Sequence, residues 1–195
     1  QRRGGDGSPT LTASYFVPAV GSATRCELSL ARERTAQGAQ TSLTFQTMDG
    51  FGRTVKTETG YGTQPGTVVS TVDTVYAPCA CSPLGKVKQV SQPYAPGQTP
   101  VWTVYNYDWR GRTTSVIAPD GASTTTYVYK GNRVTVTSPN ADGSSYPKWK
   151  KFTMDAFGNV TRVVEPKDGL GNTYSTNYTY DVLNHLTNVS MPRDG

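Results

Sequence analysis

Hydrophobic and polar positions alternate along most of this chain in short runs, each stopped by glycine, proline, asparagine or aspartate. Alternation with a period of two sends successive side chains to opposite faces of a strand, and glycine and proline punctuate the runs. Residues 67–76 (T-V-V-S-T-V-D-T-V-Y) form the clearest strand, and 101–107, 124–129, 151–154 and 175–180 read the same way. From Arg25 onward, Cys26, Leu28 and Leu30 alternate with Glu27 and Ser29. A short helix over 27–36 competes there, favoured by its Leu, Ala, Arg and Glu. The strand is preferred, because Gly38 and residues 41–47 then complete a hairpin. Residues 1–9 read as a flexible arm, and the apolar stretch 11–20 as part of a first sheet layer or a plug. No long helix is predicted.

The runs share one turn. Residues 107–121 read Y-D-W-R-G-R-T-T-S-V-I-A-P-D-G: an aromatic strand end, a polar turn, a β-type run and a stop. Aligned on the turn glycine, copies appear at Gly52, Gly85, Gly111, Gly131, Gly158 and Asn184, spaced 33, 26, 20, 27 and 26 residues apart. Eight residues after the turn stand Gly60, Pro93, Pro119, Pro139, Pro166 and Pro192; five after it, Thr57, Val90, Val116, Val136, Val163 and Val189. Three before it stand Asp49, Asp108, Asp155 and Asp181, with Ser82 in the second copy. Aspartate bonds its own backbone two residues on, glycine takes positive φ freely, and asparagine is the next most tolerant residue. The Gly131 copy has lost two residues, which predicts a tight hairpin over 130–132.

The strands that enter the turns carry rings two residues apart: Tyr105 and Tyr107, Tyr127 and Tyr129, Phe152 (with Met154), Tyr178 and Tyr180. Residues two apart on a strand share a face. Stacked copies would build an aromatic ladder, each cross-strand pair adding up to about 1 kcal/mol. The competing reading, a sugar-binding stripe, requires those rings to be exposed.

Tyr107-Asp108-x-x-Gly111-Arg112 and Tyr180-Asp181-x-x-Asn184 resemble the YD repeats of the rearrangement-hot-spot (Rhs) proteins. Met48-Asp49-x-x-Gly52-Arg53 and Met154-Asp155-x-x-Gly158 are variants of the same motif. Similar repeats occur in teneurins and in toxin-complex shells. The resemblance covers 41–195, as a repeat array of about six copies preceded by an N-terminal arm and lead-in strands over 1–40. It implies an all-β spiral or solenoid of short antiparallel hairpins, located outside a bacterial cell or on its surface. It further implies a structural, self-associating role as filament subunit or as shell or stalk segment, without catalysis or cofactor. The alternatives are an adhesin for cell-surface glycan and a casing fragment of a larger Rhs toxin-delivery protein. By analogy with the repeat counts of the longer proteins it resembles, six copies are too few to close a shell. The last repeat, ending at 190–195, is therefore expected to meet residues 11–47 of another copy by strand addition.

Composition narrows the chemistry. Only 35% of residues are hydrophobic, with 12 tyrosines and 20 glycines, which suits thin β-layers better than a thick core. The net charge of +5 is scattered through turns, so no nucleic-acid partner is expected. The one dense cluster, Lys148-Trp149-Lys150-Lys151, reads as a solvated loop. No apolar run approaches the roughly 20 residues of a membrane span. The chain opens on Gln1 without a visible signal peptide, so it is expected to be processed or part of something longer. His185 follows the Asn184 turn as a solvated residue. Residues 168–172 offer oxygens to Ca²⁺ but read as a plain turn. Among Cys26, Cys79 and Cys81, the last two stand two apart on what reads as one strand. Their Cβ atoms would then be too far apart to bond. Cys26 is the expected partner of one of them, the third thiol being free or bonded to another chain. A Cys₃ zinc site is the runner-up, and no metal is expected.

Overall fold

The computed structural model describes residues 12–16, 26–34, 40–62, 66–79, 81–139, 148–167 and 171–191. Every regular element among them is a strand: β1 (Thr12–Phe16), β2 (Cys26–Arg34), β3 (Gln40–Met48), β4 (Thr54–Tyr61), β5 (Thr67–Cys79), β6 (Ser82–Ser91) and β7 (Trp102–Tyr107). These are followed by β8 (Thr113–Ile117), β9 (Thr124–Lys130), β10 (Arg133–Ser138), β11 (Lys148–Met154), β12 (Val160–Pro166), β13 (Thr173–Tyr180) and β14 (Leu186–Ser190). Strand order is chain order, with antiparallel pairing. Such a meander needs only short connections, and the glycine, proline and aspartate punctuation supplies them.

The chain divides into two compact units, Gln1–Val104 and Tyr105–Gly195. The division falls inside β7. β2 pairs with β3 along its whole length, from Cys26 opposite Met48 to Arg34 opposite Gln40. That pairing makes 26–34 a strand and not a helix. The arm over 1–9 and half of the apolar stretch 11–20 lie outside the described residues.

In the second unit the sheet has two unlike faces. Val134 faces Tyr129 on one side and Phe152 on the other; Phe152 then faces Val163, and Tyr178 faces Val189. Aromatic and β-branched residues are thus opposed in register, worth about 0.2–1 kcal/mol a pair. Only Val134 among the described hydrophobic side chains is buried, at 8% exposure. In the first unit the buried residues are polar: Thr47, Thr71 and Ser91. The 92–101 loop folds back so that Tyr94 and Thr71 exchange backbone bonds of 2.8 and 3.0 Å, and Asp73 N–H donates to Ser91 Oγ.

The lysine cluster expected in a loop begins β11. Trp149, Lys150 and Lys151 stand opposite Thr137, Val136 and Thr135 of β10. The strand pleat sends neighbouring lysines to opposite faces, which removes the like-charge crowding that suggested a loop. Lys150 pairs with Glu165 at 2.6 Å on one face, while the Lys151 ammonium lies 5.4 Å from the Trp149 ring centre.

Candidate functional site

The chemistry concentrates at the turns. Four of them, after β3, β7, β11 and β13, are built alike around Asp49, Asp108, Asp155 and Asp181. The turn residue's N–H returns to the aspartate carbonyl, as Gly111 to Asp108 at 2.9 Å, and the aspartate N–H reaches the carbonyl four residues on. The turn residues have positive φ: Gly52 75°, Gly111 78°, Gly158 89° and Asn184 63°. This is a three-residue hairpin closed by a left-handed residue and a bulge. Each carboxylate then caps its own turn. One oxygen of Asp108 accepts from the Arg110 and Arg112 N–H groups, both at 2.9 Å. The other accepts the Arg112 guanidinium at 2.8 and 2.7 Å. Asp49 does the same with Phe51 and Arg53, Asp155 with Phe157 and Asn159, and Asp181 with Leu183 and His185.

All four carboxyls are held below the ordinary aspartate range. For Asp49 the main cause is the Arg53 side-chain bond, for Asp155 the Asn159 side chain, and for Asp181 the His185 N–H. Burial pushes Asp108 up, but the Arg112 N–H and guanidinium outweigh it. Asp120 caps the return turn between β8 and β9 through the Ala122 and Ser123 N–H groups, and its carboxyl is lowered first by the Ser123 hydroxyl and then by those N–H groups.

The position after the turn residue couples copies, a role that its run of Arg53, Lys86, Arg112, Asn132, Asn159 and His185 could have signalled from sequence. Each such side chain has donors. Arg53 donates to the Leu84 carbonyl in the next copy, Asn132 to the Met154 carbonyl at 2.7 Å, and Asn159 to Asn184 Oδ1 at 3.0 Å. Arg53 also stacks on Tyr76 at 4.1 Å and Arg112 on Tyr129 at 4.2 Å, each ring belonging to the strand that enters the following turn. Tyr129 and Tyr180 donate their hydroxyls to the carbonyls of Thr113 and Val160, the first residues after the Asp108 and Asp155 turns. Tyr105 and Tyr107 lie half-buried on β7, and burial raises the Tyr107 hydroxyl. The rings do not form an unbroken ladder. A valine strand separates each aromatic strand from the next, so Phe152 and Tyr178 are two strands apart.

Two turns differ from the rest. Gly131 and Asn132 form a two-residue hairpin between paired Lys130 and Arg133, with Gly131 at φ 58°. Gly85 is not a hairpin tip. The β5–β6 pairing runs on past it to Cys79 opposite Ser82, and Gly85 lies within β6 at the second of two register shifts, between the Ala77–Lys86 and Cys79–Ser82 pairs. The tip is Cys79–Ser82, closed by a Cys79–Cys81 disulfide with the Cα atoms 5.1 Å apart. This overturns the expected Cys26 pairing. The two cysteines flank a chain reversal and do not share one straight strand, which brings them within the usual 4.4–6.8 Å. It also removes the thiols that a Cys₃ zinc site would need, and leaves Cys26, on β2, as the odd thiol.

So short a loop contributes about 1.5 kcal/mol in the chain-entropy treatment, against about 4 for a Cys26 pairing spanning more than 50 residues. The Cys79→Ser/Cys81→Ser variant should therefore lose about 1.5 kcal/mol in urea unfolding. Non-reducing peptide mapping should find both cysteines in one bridged peptide; a cross-link to Cys26 would contradict this.

His185 completes the Asp181 turn, its Nδ1 lying 3.0 Å from Asp181 Oδ2. Asp168, part of the weak Ca²⁺ loop, lies outside the described residues. Among the described residues no three His, Cys, Asp or Glu side chains are grouped to hold a metal, and no helix is long and apolar enough to cross a membrane. No protein-family model matches the chain, and no curated protein does.

Proposed function

We propose that this chain is structural material of the YD-repeat type, a segment of an extracellular bacterial filament, stalk or shell wall, its sheet continuing as a spiral or solenoid. The observation that carries this reading is the repeated aspartate turn. Four carboxylates that could have been paired for chemistry are each spent on the same local capping bonds. The turn-edge bonds join one copy to the next, as a wall requires. β14 pairs with β13 and presents Leu186 and Val189 exposed, an edge suited to a further strand. A second copy, or the next repeat of a longer polypeptide, supplies it by strand addition.

Sedimentation velocity across a concentration series tests this. The chain should form growing oligomers, and Leu186→Lys/Val189→Lys, which puts charge on the edge, should hold it monomeric. A wild-type chain that stays monomeric at high concentration would sink the self-associating reading. It would favour the second reading, a glycan adhesin, for which the exposed turn rings speak: Phe51 at 67%, Trp109 at 69% and Phe157 at 81%.

A further inference from the structure

On the face of β9–β11 turned away from Tyr127, Tyr129 and Phe152, three cations gather. Lys130 and Arg133 stand directly opposite each other across the hairpin, and Lys151 stands opposite Thr135 on the neighbouring strand. Like charges paired across strands repel. Neither Lys130 nor Arg133 has an ion-pair partner among the described residues, and both are exposed. With Thr135, Thr137 and Trp149 they line an open groove of about 760 Å³ that contains no carboxylate. Glu165 is engaged with Lys150 on the opposite face. The size is that of a ligand site.

We propose that this groove binds an acidic polysaccharide. A pyranose ring lies against Trp149, the sugar acids are met by Lys130, Arg133 and Lys151, and the Thr135 and Thr137 hydroxyls bond the sugar hydroxyls. The Lys151 stem is flexible, so a ring taking the indole face moves its ammonium to the ring's edge, where the acid is. A single-stranded nucleic acid fits less well. It uses successive aromatic platforms for successive bases, and this face offers one indole, the other rings of these strands lying on the far side. The site is independent of whether copies associate, since a wall and an adhesin could both carry it.

Calorimetric titration of the full chain with polygalacturonate, dextran sulfate, neutral dextran and a thymidine oligonucleotide tests the proposal. Binding of polygalacturonate or dextran sulfate, weakening with salt, supports it, and the tighter of the two names the acid as carboxylate or sulfate. Lys130→Gln/Arg133→Gln, checked for folding by circular dichroism, should bind about tenfold more weakly. Lys130→Gln alone, at the hairpin end, serves if the double variant does not fold, and should weaken binding in the same direction. Equal binding of neutral dextran, tighter binding of the oligonucleotide, unchanged affinity in the variants, or no binding at all would overturn it.

Discussion

Gly85→Ala should destabilise the protein by about 3 kcal/mol or more. Two costs combine. The residue has φ 76°, where an L side chain costs about 1–2 kcal/mol. An added Cβ would also stand 2.5 Å from the Ala77 carbonyl oxygen and 2.8 Å from its carbon, backbone atoms of the paired strand that cannot swing aside. The hairpin would have to give up its register. Gly158→Ala isolates the first cost, since its φ is 89° but nothing lies within 4 Å of the added atom. It should lose only about 1–2 kcal/mol. Urea unfolding of the two variants checks the difference; equal losses would mean that the close pairing of Gly85 beneath Ala77 does not exist.

Tyr129→Ala should cost about 3 kcal/mol, less than a fully buried ring because the side chain is half-exposed. The ring faces Val134, the most buried hydrophobic residue described, and carries Arg112 on its face. Its hydroxyl bonds the Thr113 carbonyl at 3.0 Å. Tyr129→Phe removes only that bond and should cost about 1 kcal/mol. Val128, one residue away, points to the opposite face and is 50% exposed; Val128→Ala should change stability by less than about 0.5 kcal/mol. A reversed order of the 128 and 129 variants in thermal or urea unfolding would mean that the faces are assigned the wrong way round.

The parts legible in the sequence were those governed by local chemistry. Asp108, Gly111 and Asn184 state their turn because capping and positive φ need nothing from the rest of the chain. The strand at 26–34 was legible only as a preference. Helix and strand propensities nearly balance there, and the long pairing with β3 decides. What failed depended on partners across strands. Gly85 stood in the right sequence register, but β5 and β6 pair three residues beyond it, so the hairpin tip and the disulfide moved to Cys79–Ser82. The lysine cluster at 148–151 looked crowded in one dimension and is divided between two faces once paired. The role of the position after the turn was missed because Arg53, Asn132 and Asn159 look like ordinary surface residues until the next copy is brought beside them.

The central claim is that the recurrent aspartates are turn caps and not acids or bases. Folded-state depression of a carboxyl means stability that is fully present above its unfolded value, about 3.9, and lost as pH falls through the lower folded value. Acid unfolding should therefore begin below about pH 4, as the caps are protonated. The direct measurement is a carboxyl-carbon NMR titration of Asp49, Asp108, Asp155 and Asp181. All four should titrate below the ordinary aspartate value. Any one of them raised toward neutrality, as a general acid would be, would contradict the account.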